Sequence, residues 1–410
     1  MQAVVRGTDI LPAKGDRTMN ALEGILVLDL ARRYPGAYSA MFLGDFGADV
    51  IKVDPPGTEF PIPYIDTHSE EFAAHFAPDR NKKSIVINLR DEAGREAFYR
   101  LVKRADVVIE GFRPGVMKKL GVDYETLRKL NPRLIYCSET GYGPDGPYAS
   151  VPAHDMNYIA IAGALSLVGA KDGPPYLPSN LLADMAGAGL HGAIGVLLAI
   201  QARERTGQGQ IVDISYIDTV ISLLSYDASF YFTSGRVPKR GETHTTGAVA
   251  WGNVYLCKDG EYFSLGCAEP HLWANLCRAL GREDLIPLHN PETLEERQWV
   301  ISELSSIFLT RTRDEWADYL RDKEACTGPV LNIDETFKDP QVLHRQMMVE
   351  VDHPRLGKVK QVGIPIKLSE TPGSIRSVGV PLGEHTGEIL SGLGFSEQEI
   401  ASLRDKGAVA

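Results

Sequence analysis

Within 31 residues the chain runs from one apolar segment, Gly24-Ile25-Leu26-Val27-Leu28-Asp29-Leu30, through a helix-period stretch, Ala37 to Phe46, to a second apolar segment, Ala48 to Asp54. Strand, helix and strand at that spacing form a βαβ unit, and two strands joined by a crossover helix run parallel. The pattern recurs. Ser84 to Leu89 reads as a strand, Asp91 to Ala105 as a helix with a charged face, and Val107 to Glu110 and Leu134 to Ser138 as further strands. The predicted fold class is therefore α/β, a Rossmann-like large domain with a parallel sheet plus a smaller α+β domain. Ligands of such sheets bind at the loops beyond the strand C-termini.

Two of those loops are basic. Arg32 and Arg33 follow the first strand. Arg113 follows Val107–Glu110, with Lys118 and Lys119 beyond it. Any one of these is ordinarily a solvated charge, but their recurrence at strand ends favours an anionic ligand. No Gly-x-Gly-x-x-Gly opens a helix after the first strand, so the usual dinucleotide fingerprint is absent. The net charge of −11 argues against a nucleic-acid partner, which requires a basic surface. Five cysteines, Cys137, Cys257, Cys267, Cys277 and Cys326, contain no Cys-x-x-Cys pair. That fits neither a metal motif nor a disulfide framework, and predicts reduced buried thiols in a cytoplasmic protein. The run Met1–Asn20 is polar and lacks the apolar core of a signal peptide. Residues 1–21 are read as an N-terminal extension. No uninterrupted apolar run approaches 18 residues, so no membrane span is expected.

Asp184 heads a long apolar stretch, and from Met185 to Ile200 there is no Asp, Glu, Lys or Arg. The ordinary reading is a helix N-cap, because a carboxylate there meets unpaired N–H groups and the positive end of the dipole. The sharper reading is a partly buried carboxylate kept as a nucleophile or proton shuttle. The glycines that follow it would let a bulky ligand approach the backbone.

Residues 22–233 are taken as the large domain. Around Ser234 to Ala250 the composition turns to Gly, Thr, Lys, Arg and His, as in a crossover or active-site loop. Trp251 to Gly266 alternates like a hairpin turning at Lys258–Glu261, and helices are predicted over 271–280, 294–310 and 313–323. Residues 234–340 are read as the small domain, and 341–410 as a segment returning to the first. Beside Asp184, two more titratable residues stand at element ends: His154, after a turn-rich stretch, and Glu269, before Pro270. Each alone is ordinarily a turn or cap residue. Together the three are candidates for acid and base partners.

Several ordered stretches resemble family III CoA-transferases, the group that also contains α-methylacyl-CoA racemase. They are Leu22–Asp29, Gly44–Val53, Asn81–Ser84, Ala105–Gly115, Gly207–Gln210, Gly328–Val330 and Leu382–Thr386. The resemblance implies an interlocked, ring-like dimer, as a homodimer or as a heterotetramer with a homologous subunit. It implies CoA thioesters and carboxylic acids as substrates, with no tightly bound cofactor, no metal and no membrane. Asp184 falls at the family's catalytic aspartate, which attacks a donor thioester and passes through aspartyl anhydride and aspartyl-CoA intermediates. Arg32, Arg33, Tyr34 and Pro35 fall on the first CoA-binding loop, and Gly111, Phe112 and Lys119 on the second.

The chain departs from the transferase pattern in two places. Thr245–Asn253 stands where transferases carry a very glycine-rich loop, yet has only two glycines. Ala153–Tyr158 and Ala268–Pro270 resemble the racemase branch, in which a histidine (here His154) and the aspartate exchange an α-proton and a glutamate (here Glu269) supports the histidine. The Arg-Arg-Tyr-Pro loop and Glu269–Cys277 resemble instead transferases of aromatic and dicarboxylic acid pathways, among them the benzylsuccinate CoA-transferases of toluene degradation. The expectation is a transferase using succinyl-CoA. The alternatives are a 2-methylacyl-CoA racemase and a non-catalytic CoA-binding subunit of a hetero-oligomer.

Overall fold

The computed structural model describes residues 20–32, 34–58, 66–67 and 69–410. The chain divides into two compact units. The first comprises Met1–Pro152, Asp184–Tyr216 and Leu343–Ala410, and the second Ala153–Ala183 and Ile217–Val342. Residues 153–183 and 217–233, assigned to the large domain from sequence, group with the second unit. A change of composition marks a loop, whereas a unit is defined by contacts that sequence order does not display. Of the expected N-terminal extension, residues 1–19 lie outside the described residues.

The first unit is built on six parallel strands: β1 (Leu26–Asp29), β2 (Asp49–Asp54), β3 (Lys82–Val86), β4 (Val107–Glu110), β5 (Ile135–Thr140) and β6 (Ile211–Ser215). Their order is β3-β2-β1-β4-β5-β6, which reverses direction between β1 and β4. A crevice opens at such a reversal. Both faces of the sheet are covered, so alternate residues of one strand enter different cores. Val27, Val107, Ile109, Ile135 and Cys137 pack with helices α1 (Tyr34–Asp45) and α2 (Leu190–Thr206). Leu28, Val108, Leu134 and Tyr136 pack on the other face with Phe98 and Leu101 of the Glu92–Val102 helix, which Asp91 caps.

Two buried ion pairs lie within this unit. Lys82 Nζ stands 2.7 Å from Asp29, both side chains almost wholly excluded from solvent, and Arg80 grips Asp45 through two nitrogens. The C-terminal residues close the unit. His385 N–H donates to Ser84 O at 3.0 Å, Asn88 N–H donates to Ala408 O at 2.8 Å, and Ile87 and Val409 form an antiparallel bridge. Two helices, Thr386–Gly392 and Glu397–Asp405, end the chain's returning segment; the second starts at a Ser396–Glu399 capping box.

Among the described residues one continuous helical stretch, Leu181–Thr206, is long and apolar enough to cross a membrane. Counting uninterrupted apolar residues missed it because His191 and Gln201 interrupt the run that Asp184 heads. Its buried positions include Gly192, Ala193, Val196 and Ala199, and its last turn carries Arg203, 2.9 Å from Asp106. Those contacts are those of a helix packed on its own sheet.

In the second unit Gly252–Leu256 and Tyr262–Gly266 form the expected hairpin, to which Thr327–Pro329 adds a third antiparallel strand. The helices Pro270–Ala279, Leu294–Phe308 and Arg313–Leu320 pack Trp273, Phe308 and Trp316 against Phe263. All five cysteines are free thiols; four are buried, and Cys326 is exposed, contrary to expectation, on a left-handed backbone turn.

Candidate active site

Asp184 lies inside a π-helical segment, Leu181–Gly189, that runs directly into α2. It is therefore a first-turn residue, not the N-cap the sequence suggested, because the helical turn begins three residues earlier. The dipole argument survives, since the first turn still exposes unpaired N–H groups. Inserted π-turns widen a helix and frequently mark functional sites. Asp184 is half-buried.

Gly189 and Gly192, two of the glycines after Asp184, lie at close packing within the protein. A Cβ on Gly189 would come 2.8 Å from the Tyr38 ring, and one on Gly192 would come 2.3 Å from Glu139 Oε1 and 2.5 Å from Ser39 Oγ. Side chains there would push α1 and α2 apart. His191 directs Nδ1 at Gly187 O (2.7 Å) and Ala186 O (3.0 Å). Both partners are acceptors, so Nδ1 carries the proton.

Tyr34 is the first residue of α1. Its hydroxyl titrates above the ordinary tyrosine range, first through burial and then through the charge of Asp184. Tyr34 also lines a cleft with Arg32, Lys52, Asp54, Lys82 and Lys83, closed on one side by Val380–Leu382. The lysines in this cleft are not equivalent. Lys52 is bound to Asp79, and Lys82 to Asp29. Burial acts to lower the Lys52 ammonium, but Asp79 and Asp54 together hold it above its usual range. Burial pushes Asp54 up to about 6, against the pull of Lys52. Lys83 is exposed and pairs with Glu388 at 2.6 Å. Arg32 is exposed and forms no ion pair within 4 Å among the described residues, so its five donors remain available to an anionic group. Sequence reasoning found Arg32 and Tyr34 but overlooked the Asn81–Ser84 stretch as part of the cleft. Two adjacent lysines opening a strand were the available signal.

Arg33 lies outside the described residues. Pro35 is buried at the start of α1. Gly111 and Phe112 follow β4, beside the loop after β1. Phe112 packs partly buried against the core, and its N–H donates to Glu110 at 2.7 Å. Lys119 is exposed on the Val116–Leu120 helix. None of these last three lines the cleft that Arg32 enters.

His154 and Glu269 belong to the second unit, Asp184 to the first. His154 is the exposed N-cap of the Asp155–Ile161 helix, where Asn157 Oδ1 accepts its backbone N–H at 3.1 Å. Glu269 is the exposed N-cap of Pro270–Ala279, with Pro270 in the first turn. Both hold the cap positions that the ordinary reading gave them. Asp155 follows His154 after the same turn-rich stretch, and sequence reasoning assigned it no role of its own. It is buried, and its Oδ2 accepts the N–H of Ala183 at 2.8 Å. In Thr245–Asn253, Asn253 Nδ2 donates to Gly247 O at 3.0 Å and Trp251 Nε1 donates to Asn290 at 3.2 Å, so the turn is tied down by side chains. Among the described residues no group of three His, Cys, Asp or Glu side chains is arranged to hold a metal.

Residues 22–386 match the sequence pattern of CoA-transferase family III. Human α-methylacyl-CoA racemase is 34% identical over 385 residues, covering 93% of this chain and 96% of its own. The succinyl-CoA–L-malate CoA-transferase beta subunit of Chloroflexus aurantiacus is 35% identical over 401 residues, covering 96% and 99%. Among solved structures, a CAIB/BAIF family protein from Brucella suis superposes with a TM-score of 0.79 at 32% identity, covering 91% of this chain and 99% of its own.

Proposed function

The chain belongs to CoA-transferase family III, and from that premise we propose that it moves CoA from an acyl-CoA donor, succinyl-CoA, to a carboxylic acid, with Asp184 as the nucleophile. The observation that carries this reading is the setting of Asp184: a half-buried carboxylate in a π-turn whose charge reaches Tyr34, at the rim of a cleft whose Arg32 has no ion-pair partner among the described residues.

Arg32 receives the nucleotide phosphates of CoA. The Asp184 carboxylate attacks the donor thioester carbonyl; the carbon–sulfur bond breaks, and CoA leaves as thiolate from a mixed anhydride. The thiolate attacks the aspartyl carbonyl, expelling the donor acid and leaving an aspartyl-CoA thioester. The acceptor carboxylate then attacks that thioester, releasing thiolate and forming a second anhydride. Attack of thiolate on the acceptor's carbonyl gives the new acyl-CoA and frees Asp184. Water must be kept out, because the anhydrides hydrolyse. Dicarboxylates lead as acceptors, since named relatives act on malate and oxalate. None of these names carries benzylsuccinate, which enters as one acid in the assay. The apolar residues that α2 leaves exposed, Leu190, Ile194, Leu197 and Leu198, support burial of this face in a dimer.

Incubation with succinyl-CoA and a panel of acids tests the proposal. Formation of a new thioester that depends on the added acid supports transfer. Solvent deuterium entering the α-position of a 2-methylacyl-CoA with no acid present supports racemisation instead. That second reading is favoured by one observation: His154 precedes Asp155, which is bonded to the residue immediately before Asp184.

A further inference from the structure

Glu139 is the one carboxylate of β5 that faces α1 and α2, and the mechanism above does not use it. It is 1% exposed and has no ion-pair partner within 4 Å among the described residues. Gly36 of α1 and Gly192 of α2 close around it, so that a Cβ on either would stand 3.4 Å from Oε2 and 2.3 Å from Oε1 respectively. Its Oε1 lies 2.7 Å from Ser39 Oγ, and the same Oγ lies 2.7 Å from Gly189 O. Oε2 has no hydrogen-bond partner among the described residues.

Three oxygens stand in a row, separated by two short gaps, and each gap needs a proton. The Gly189 carbonyl supplies none and the Ser39 hydroxyl supplies one. An ionised Glu139 would take that proton and leave the Gly189 carbonyl facing bare oxygen. A protonated Glu139 donates Oε1–H to Ser39, whose own proton then reaches Gly189.

We propose that Glu139 is held as a neutral carboxylic acid which, through Ser39, fixes the Gly189 carbonyl and thereby the π-turn carrying Asp184, making Glu139 a positioning residue for the transfer reaction. Gly189 ends the π-segment, so its carbonyl sets how the widened turn resumes ordinary helical pitch. The electrostatic surroundings agree. Burial is the main force raising Glu139, to about 8; Asp29 on β1 and Glu110 on β4 raise it further, while Ser39 and Lys82 on β3 oppose. Cys137, on β5 itself, is pushed well up by burial and by Glu139. From α1 and α2 the groups presented to it are Gly36, Ser39 and Gly192.

The proposal rests on Asp184 as nucleophile, and two readouts separate the two claims. Infrared difference spectroscopy of the whole protein at neutral pH is expected to show the carbonyl stretch of a protonated carboxylic acid, absent from Glu139→Gln and lost from wild type as the pH passes about 8. No turnover is needed, so this result stands even if Asp184→Ala proves active. In turnover, Glu139→Gln keeps a donor toward Ser39 and holds kcat within about threefold, while Glu139→Leu loses about tenfold in kcat with KM little changed, the value of one buried hydrogen bond. Wild-type kcat declines above pH 8 and that of Glu139→Gln does not. Absence of the band in wild type, or the same alkaline decline in both proteins, overturns the proposal.

Discussion

Asp155 accepts the backbone N–H of Ala183 at 2.8 Å, one residue before Asp184 in the chain. A carboxylate on a first-turn N–H is worth about 1 kcal/mol in helix-capping comparisons. Asp155→Ala is expected to lower the melting temperature by a few degrees and to reduce kcat about tenfold, while Asp155→Asn, which retains an acceptor oxygen, keeps most of the rate. Thermal melts and steady-state kinetics on both variants check this; equal kinetics for alanine and wild type would dissociate the cap from catalysis.

Asp184→Ala is expected to lose turnover by about 10⁴-fold or more, as removal of a covalent nucleophile does, while binding CoA nearly as wild type. Hydroxylamine added after the donor should modify the wild-type chain at residue 184, read by mass spectrometry. An unmodified peptide, or an active alanine variant, removes the covalent route.

His154→Ala separates the two family chemistries. A transferase is expected to keep its rate within about tenfold, whereas loss of a general acid–base group from a racemase costs about 10²–10⁴-fold. The check is acid-dependent thioester formation beside deuterium exchange on the same preparation.

Lys82→Met leaves Asp29 buried without its cation. Breaking one partner of a buried pair costs about 3–5 kcal/mol, so the urea midpoint should fall sharply. Lys83→Met, at an exposed pair with Glu388, should change stability by less than about 1 kcal/mol. Denaturation curves with comparable slopes for the two variants decide the comparison.

Glu139 also makes stability depend on pH. Its folded value, about 8, lies above the 4.5 of an exposed glutamate, so the folded state binds the proton more tightly. That stabilisation is whole below about 4.5 and disappears as the pH rises through 8. In that window the loss runs at up to about 1.4 kcal/mol per pH unit. Glu139→Gln should therefore gain on wild type as the pH rises from 5 to 8, and scanning calorimetry at several pH values measures the difference.

The sheet was legible because both its faces are covered: Val27 and Leu28, or Val107 and Val108, are apolar neighbours that enter opposite cores. Asp184 was legible because a single charge stands out against an apolar run. Its π-turn was not, since propensity and periodicity describe the ordinary helix, and the groups that meet the wider turn at Gly189, Tyr38 and Ser39, lie about 150 residues away in the chain. Glu139 was illegible for a related reason. It is one charged letter in a strand, and its meaning resides in Ser39, which stands 100 residues earlier, and in a carbonyl 150 residues from that serine. Phe112 was legible only as a motif residue; that its ring packs, partly buried, against the core beneath the sheet could not be read from its place in the chain.

The bridge between Ile87 and Val409 reaches across most of the polypeptide. During synthesis the edge strand bearing Lys82 emerges early and waits, its neighbouring backbone groups unpaired, until residues 408 and 409 have left the ribosome. A nascent chain stalled anywhere before that point presents an unfinished sheet margin to other proteins. A bulky fusion set directly against Ala408 would hold the margin open in the finished molecule.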